Sequence, residues 1–334
     1  METLYAILSG ILSAIGVLAL LLVISELHLR FRGRKFNVNG KHCYVTGGSS
    51  GLGKAVAMDL FKDGASVTII ARGLDNLKFA AEEIEKCRVN ETQKIIYISS
   101  DTTDKQSSKA ALEESVERQG KEIEYVFTCA GAAYPGYFIE QDVEVFEKSM
   151  QLNYFGALYT IHEATRRMVN ANIKGHVVLV GSTLSMLGLV GYTQYSATKF
   201  AIRGLAEALR SELILHGINV SAYYPGTILS PGYEAENKLK PEISKKIEDA
   251  VDGLTPEQCS TALLKGLKRG EVAITSDFST LLFRVASRGA MPMNNVAIDS
   301  VLAMIAWVAL PIWRIFVDRT ISTFQYGKPK AKPE

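Results

Sequence analysis

Cysteine is scarce in this chain, with four in 334 residues (Cys43, Cys87, Cys129 and Cys259). They have neither metal-ligand spacing nor the density of a disulfide framework. No metal site is expected, and unpaired thiols suit a reducing compartment. An excess of charge of one sign is also missing: 37 lysines and arginines face 35 aspartates and glutamates. Basic residues are nowhere interleaved with aromatics, so nothing points to a nucleic-acid partner. No repeat or low-complexity stretch interrupts the chain.

Apolar residues, by contrast, are plentiful, at 47% of the chain. Leu4 to Ser25 carries no charge over 22 residues. At about 1.5 Å per helical residue this spans a ~30 Å hydrocarbon core. No basic residue precedes the run and no clear small-x-small site closes it, which argues against a cleaved signal peptide. Arg30, Arg32, Arg34 and Lys35 follow it. The positive-inside rule then places the rest of the chain in the cytosol. Near the other end, Ser300 to Trp313 is uncharged over 14 residues, short for a span. With Pro311, Trp307 and Trp313, residues 281–317 are expected to lie in the cytosolic leaflet or to form a re-entrant hairpin.

Between these ends, strand-like and helix-like runs alternate. Strands are expected at 41–46, 66–71, 94–99, 124–129, 176–181, 218–224 and 272–275. Helices are expected at 52–64, 74–88, 105–119, 142–170, 193–216 and 256–269. Thr255-Pro256-x-Gln258 opens the last helix with a cap, a proline at its first position and a capping-box partner. Such alternation predicts an α/β fold, a doubly wound parallel sheet of seven strands covered on both faces.

Two motifs carry chemistry. Gly47-Gly48-Ser49-Ser50-Gly51-Leu52-Gly53 joins the first strand to the first helix of this alternation. A glycine-rich turn there lets a pyrophosphate approach the backbone at a helix N-terminus. About 140 residues on, Tyr195 and Lys199 stand four apart, thirteen residues after Ser182. On a helix that spacing puts the ammonium and the phenol on one face. A cation ~4 Å from a phenol contributes at most ~4 kcal/mol at an effective dielectric of about 20, or roughly three pKa units. The expectation is a phenol near neutrality, able to exchange a proton with a carbonyl oxygen. Ser182 would hold that oxygen.

Together the motifs resemble the short-chain dehydrogenase/reductase family over about Asn39 to Ile274. Thr46-Gly47-x-x-x-Gly51-x-Gly53 matches its cofactor turn, Asp101 its adenine-contacting aspartate, and Pro225-Gly226 the turn after its sixth strand. Asn153, Ser182, Tyr195 and Lys199 match its catalytic tetrad. The resemblance implies that Asn153 bends its helix and holds a proton-relaying water, and that Lys199 binds the nicotinamide ribose. Where the family has Asn-Asn-Ala-Gly, this chain has Thr128-Cys129-Ala130-Gly131, keeping only the small pair near the cofactor. The implied cofactor set is Gly47, Ser49, Ser50, Gly51, Leu52, Gly53, Arg72, Asp101, Ala130, Tyr195, Lys199 and Pro225. An acidic residue selecting NAD is absent at the end of the second strand, which carries Ala71-Arg72 instead. Arginine pairs with a 2′-phosphate, and Ser49 and Ser50 can donate to it, so NADPH and the reductive direction are expected.

Residues 230–254 show no strand and by position form a lid. Their Pro231-Gly-Tyr-Glu-Ala-Glu-Asn-Lys-Leu-Lys-Pro241 resembles family members that reduce a long-chain lipid ketone. The implied substrate is 3-ketosphinganine, held beside the bilayer. Alternatives are a membrane-bound 3-ketoacyl-CoA reductase, a steroid or retinoid reductase, or a non-catalytic lipid-binding scaffold. The expected division is an anchor over 1–30, an NADPH-binding Rossmann domain over 36–276, and a membrane-associated region with a cytosolic tail over 277–334. Lys330-Ala331-Lys332-Pro333-Glu334 resembles a lysine-x-lysine-x-x retrieval signal, which points to the endoplasmic reticulum membrane. By analogy with relatives, the two long helices would pair subunits into a homodimer or homotetramer.

Overall fold

The computed structural model describes residues 2–32, 36–248 and 253–326. Seven strands form one parallel sheet: β1 (His42–Thr46), β2 (Ser66–Ala71), β3 (Ile95–Ser99), β4 (Tyr125–Thr128), β5 (His176–Val180), β6 (Asn219–Tyr224) and β7 (Ala273–Thr275). Their order is β3-β2-β1-β4-β5-β6-β7, so the winding reverses between β1 and β4. A crevice opens at such a switch point, beyond the carboxyl ends of the strands.

Adjacent strand residues feed opposite cores, as the two-residue period demands. Cys43, Val45 and Ile69 pack with Leu60, Phe61 and Leu77 of helices α2 (Gly51–Lys62) and α3 (Leu74–Glu85), and with Leu263 of α10 (Pro256–Lys268). Tyr44, Ile70 and Val126 pack on the other face with Leu112 of α4 (Lys105–Gln119), Ile161 of α6 (Gly156–Asn170) and Ile202 of α7 (Thr193–Leu213). All five residues of β1 are buried, as in a strand covered on both faces.

The helix expected over 142–170, with a bend implied at Asn153, is interrupted around that residue. α5 (Val143–Met150) passes through a π turn, Gln151–Phe155, before α6 begins. The lid region, expected only to lack strands, forms two short helices, α8 (Pro231–Leu239) and α9 (Glu242–Glu248). Ser230 caps α8 by accepting from the Tyr233 N–H at 3.3 Å, with Pro231 at the first helical position.

The ends differ most from expectation. α1 (Glu2–Arg32) covers the segment expected as an anchor, and Tyr5, Leu12 and Leu20 are exposed in it. Several of its other side chains and the tail bearing Lys330 to Glu334 lie outside the described residues. Among the described residues the helix long and apolar enough to cross a membrane is C-terminal: α12 (Val296–Ser322), with mean hydropathy 2.0 and 11% of its apolar window buried. Its 27 residues, about 40 Å, run as one helix, so the hairpin expected as one alternative does not form. Charge did not end this helix because Arg314 pairs with Asp318 one turn on, at 3.0 Å.

A preceding helix, α11 (Phe278–Ala286), meets α12 through a buried ion pair, Arg284 Nη2 to Asp299 Oδ1 at 2.6 Å and Nη1 to Oδ2 at 3.0 Å. Between them, the Asn294 side chain docks on the sheet edge. Its Oδ1 accepts from Val272 N at 3.2 Å and its Nδ2 donates to Ala273 O at 2.7 Å. An amide thus covers part of the open edge of β7, as another strand would.

Two core histidines make the fold sensitive to acid. His42 bonds Thr68 Oγ1 at 2.9 Å, and His176 bonds Ser221 Oγ at 3.0 Å. Burial lowers both pKa values to about 4. The unfolded chain binds these protons near pH 6.5, so it takes up more protons than the fold between there and pH 4. Stability present above ~6.5 is therefore lost as pH falls, by up to roughly 3 kcal/mol per histidine. Denaturant midpoints at pH 7 and pH 5 should show this loss, and His176→Gln should reduce the difference between them.

Candidate active site

The glycine-rich turn leaves β1 and enters α2 beside the end of β4. Gly47 has φ +68°, and a Cβ there would lie 2.8 Å from Ala130 N. At Gly53 it would lie 2.2 Å from Gly47 O. The backbone folds this tightly because neither position carries a side chain. No acidic residue occupies the first turn of α2, and Ser50 makes no side-chain cap, so its leading N–H groups face the crevice uncapped by side chains. Leu52 packs into the core and offers a ligand only its backbone. Gly51 touches the lid, since a Cβ there would meet Ser230 Cβ at 3.3 Å.

Beyond β2 and β3 the crevice continues. Arg72 is exposed at the end of β2, its carbonyl accepting from Ser99 Oγ at 2.8 Å. Asp101 closes a small turn by accepting from Thr103 N at 2.9 Å and Thr103 Oγ1 at 2.8 Å. Ala130 N donates to Thr46 Oγ1 at 3.2 Å, tying the two strand ends at the switch point. Thr128, standing where the family has asparagine, donates to Val178 O at 3.4 Å. Cys129 stays a thiol at neutral pH, pushed up to about 12 by burial.

Four side chains converge on the other flank. Ser182 caps a short 3-10 turn (Thr183–Ser185), accepting from Leu184 N at 3.2 Å. Pro225 supports that turn, its carbonyl accepting from Thr183 N at 2.9 Å. Tyr195 and Lys199 share one face of α7, with Nζ 5.4 Å from the ring centroid. Lys199 is buried and donates to Val180 O at 3.0 Å. Asn153 lies in the π turn, where its Oδ1 accepts from Ala132 N at 3.0 Å. Its Nδ2 donates to Ala132 O at 2.9 Å and to Thr198 Oγ1 at 3.2 Å. A Cβ on Gly131 would sit 2.9 Å from Asn153 Oδ1 and 3.7 Å from Lys199 Nζ, so bare backbone fills the space between these groups.

Electrostatics here run against the expectation of an acidified phenol. Burial and then the Glu236 carboxylate push Tyr195 well above the ordinary phenol range, while the Ser182 hydroxyl pulls the other way. Burial lowers Lys199 to about 8. Desolvation opposes both ionised forms. The phenol therefore keeps its proton at neutral pH, as a proton donor must.

Sequence reasoning missed the charged base of the lid. Lys240, 1% exposed, lies 3.5 Å from Glu236 and pairs with Glu248. Glu236 accepts from the Tyr192 hydroxyl, and the Tyr192 ring is 6.2 Å from that of Tyr195. The i,i+4 spacing of Glu236 and Lys240 was the available signal.

Comparison with known proteins agrees with this geometry. Residues 41–240 match the sequence profile of the short chain dehydrogenases. The chain is 38% identical over 296 residues to a 3-ketodihydrosphingosine reductase TSC10 of Cryptococcus neoformans, covering 88% of each. It is 39% identical over 304 residues to a 3-ketodihydrosphingosine reductase of Dictyostelium discoideum, covering 87% of this chain and 91% of that one. Among solved structures, a short chain dehydrogenase/reductase from Burkholderia phymatum in complex with NAD superposes with TM-score 0.67 at 19% identity. That match covers 76% of this chain and 95% of the other.

Proposed function

This chain belongs to the short-chain dehydrogenase family, and from that premise we propose that it reduces the ketone of 3-ketosphinganine to sphinganine with NADPH. The observation that carries this reading is the relatedness to 3-ketodihydrosphingosine reductases over nearly nine-tenths of the chain. Its chemistry is supported by Ser182, Tyr195 and Lys199 meeting at one end of a crevice with a tight glycine turn at the other.

A nicotinamide cofactor, when bound, supplies the hydride. The glycine turn and the start of α2 suit its pyrophosphate, since backbone N–H groups stand there without side chains in the way. Arg72, exposed at the end of β2, suits a 2′-phosphate. Lys199, a buried ammonium, would hold the nicotinamide ribose.

Tyr195 gives its proton to the ketone oxygen as negative charge builds there. An alkoxide is far more basic than a phenolate, so the transfer runs downhill even with the phenol raised. The Ser182 hydroxyl orients the same oxygen. Lys199 steadies the phenolate left behind. Asn153 spends both amide hydrogens on Ala132 O and Thr198, which makes it a positioning residue for the 131–132 loop. We place the enzyme in the endoplasmic reticulum membrane, anchored by α1 and α12, with the catalytic domain in the cytosol.

Purified enzyme should consume NADPH with 3-ketosphinganine and much less with a 3-ketoacyl-CoA at equal concentration. A preference for the CoA ester would refute the substrate assignment. In the same assay, Arg72→Ala should raise the KM for NADPH by roughly tenfold, from the loss of a charge-assisted contact, and leave that for NADH unchanged. Equal effects on both cofactors would remove Arg72 from the selection.

A further inference from the structure

An apolar cavity of about 410 Å³ lies between the start of α7 and the end of α12. Leu189, Val190 and Ser196 form one wall, and Val317 and Ile321 form the other. Ser196 follows Tyr195 in α7, so one turn of that helix carries both a lining residue of the cavity and the phenol. Arg314 also lines it, with a side chain half exposed and paired to Asp318.

The outer wall is unusual because of what lies behind it. Val317 and Ala306 are each 1% exposed. They stand eleven residues, or about three turns, apart and so share the inward face of α12. On its outward side Trp307 is 81%, Ile315 69% and Phe316 66% exposed. A helix so apolar and so little covered suits hydrocarbon on that side. Its C-terminal end is pinned across the site as well. The Tyr326 ring stands edge-on to Tyr137 at 4.8 Å, and its hydroxyl donates to Glu140 at 2.6 Å. The segment bearing Tyr137 also bears Tyr134, whose carbonyl accepts from Gln194 beside Tyr195. The segment following α12 is thereby tied to the 134–140 loop, which itself bonds α7 beside Tyr195.

We propose that this cavity seats the hydrocarbon chain of the substrate, with Val317 and Ile321 of α12 as the wall between it and the bilayer. The proposal rests on the reading above, that the substrate is a long-chain ketone. A chain lying there keeps its methylenes out of water while the ketone meets Tyr195. Selectivity for long chains would then reside in a helix outside the dinucleotide-binding sheet.

The test uses the full-length enzyme in detergent, with NADPH and two substrates: 3-ketosphinganine, and an analogue shortened to about eight carbons. Val317→Trp fills the cavity from its outer wall. It is expected to lower kcat/KM for the long substrate by about tenfold or more and to change that for the short analogue less than about twofold. Ile321→Trp, at a partly exposed position, makes the same test should the buried site fail to accept tryptophan. Equal losses on both substrates, or none on either, overturn the proposal. A wild-type enzyme that reduces neither ketone overturns the lipid-ketone reading itself, and the cavity assignment with it.

Discussion

Tyr195→Phe is expected to lower kcat by roughly a thousandfold or more, within the range for loss of a general acid, while cofactor affinity stays near wild type. The substitution removes one hydroxyl and keeps the ring. Its packing against Tyr192, with centroids 6.2 Å apart, is retained, as is the Lys199 ammonium 5.4 Å from the ring. Structural loss is therefore small, and the effect reports on the proton. Ser182 is no substitute as the acid, because an aliphatic hydroxyl is far less acidic than a phenol. Single-turnover measurement of cofactor oxidation separates the chemical step from binding. Turnover unchanged in the variant would remove Tyr195 from the proton path.

The same residue shows where sequence reading stops. The spacing of Tyr195 and Lys199 correctly placed both groups on one helical face, because periodicity is local. The direction of the phenol's shift depends on how much water the fold removes and on Glu236 arriving from the lid, and neither is local. Gly47 and Gly53 were legible for the opposite reason: a positive φ or a forbidden Cβ leaves a mark on composition. Strands buried on both faces announced themselves as apolar runs of the right length. The π turn at Gln151–Phe155 left no mark on the helical periodicity, and only the resemblance, through Asn153, implied a bend there. The apolar run was read as short because Asp299 and Arg314 bound it, although Arg314 and Asp318, one turn apart, offset each other within a continuing helix. Ser230-Pro231 was a readable helix start in the lid and signals α8 in retrospect.

Asp299→Ala is expected to cost about 3–5 kcal/mol of stability, as breaking one side of a buried ion pair does. Arg284 and Asp299 are 5% and 3% exposed, so water cannot replace the lost partner. The aspartate takes two bonds from the guanidinium and a third from Asn294 N at 2.9 Å. Its removal leaves a buried cation unpaired and frees the backbone of the residue whose side chain covers the β7 edge. The pair is not thereby shown to favour folding over an apolar alternative, because burying both charges carries its own desolvation cost. Arg284→Met combined with Asp299→Leu separates these effects: the double variant should recover most of the loss seen with Asp299→Ala. Urea denaturation in detergent of wild type, single and double variants gives both numbers. A single variant within about 1 kcal/mol of wild type would mean that the elbow is held by apolar packing of α11 on α12. If the expected loss is found, the ion pair fixes the near end of α12 as Tyr326 fixes its far end. The apolar helix then moves as one body with the catalytic crevice, and the distance from Val317 to Tyr195 is set by the fold rather than by the membrane.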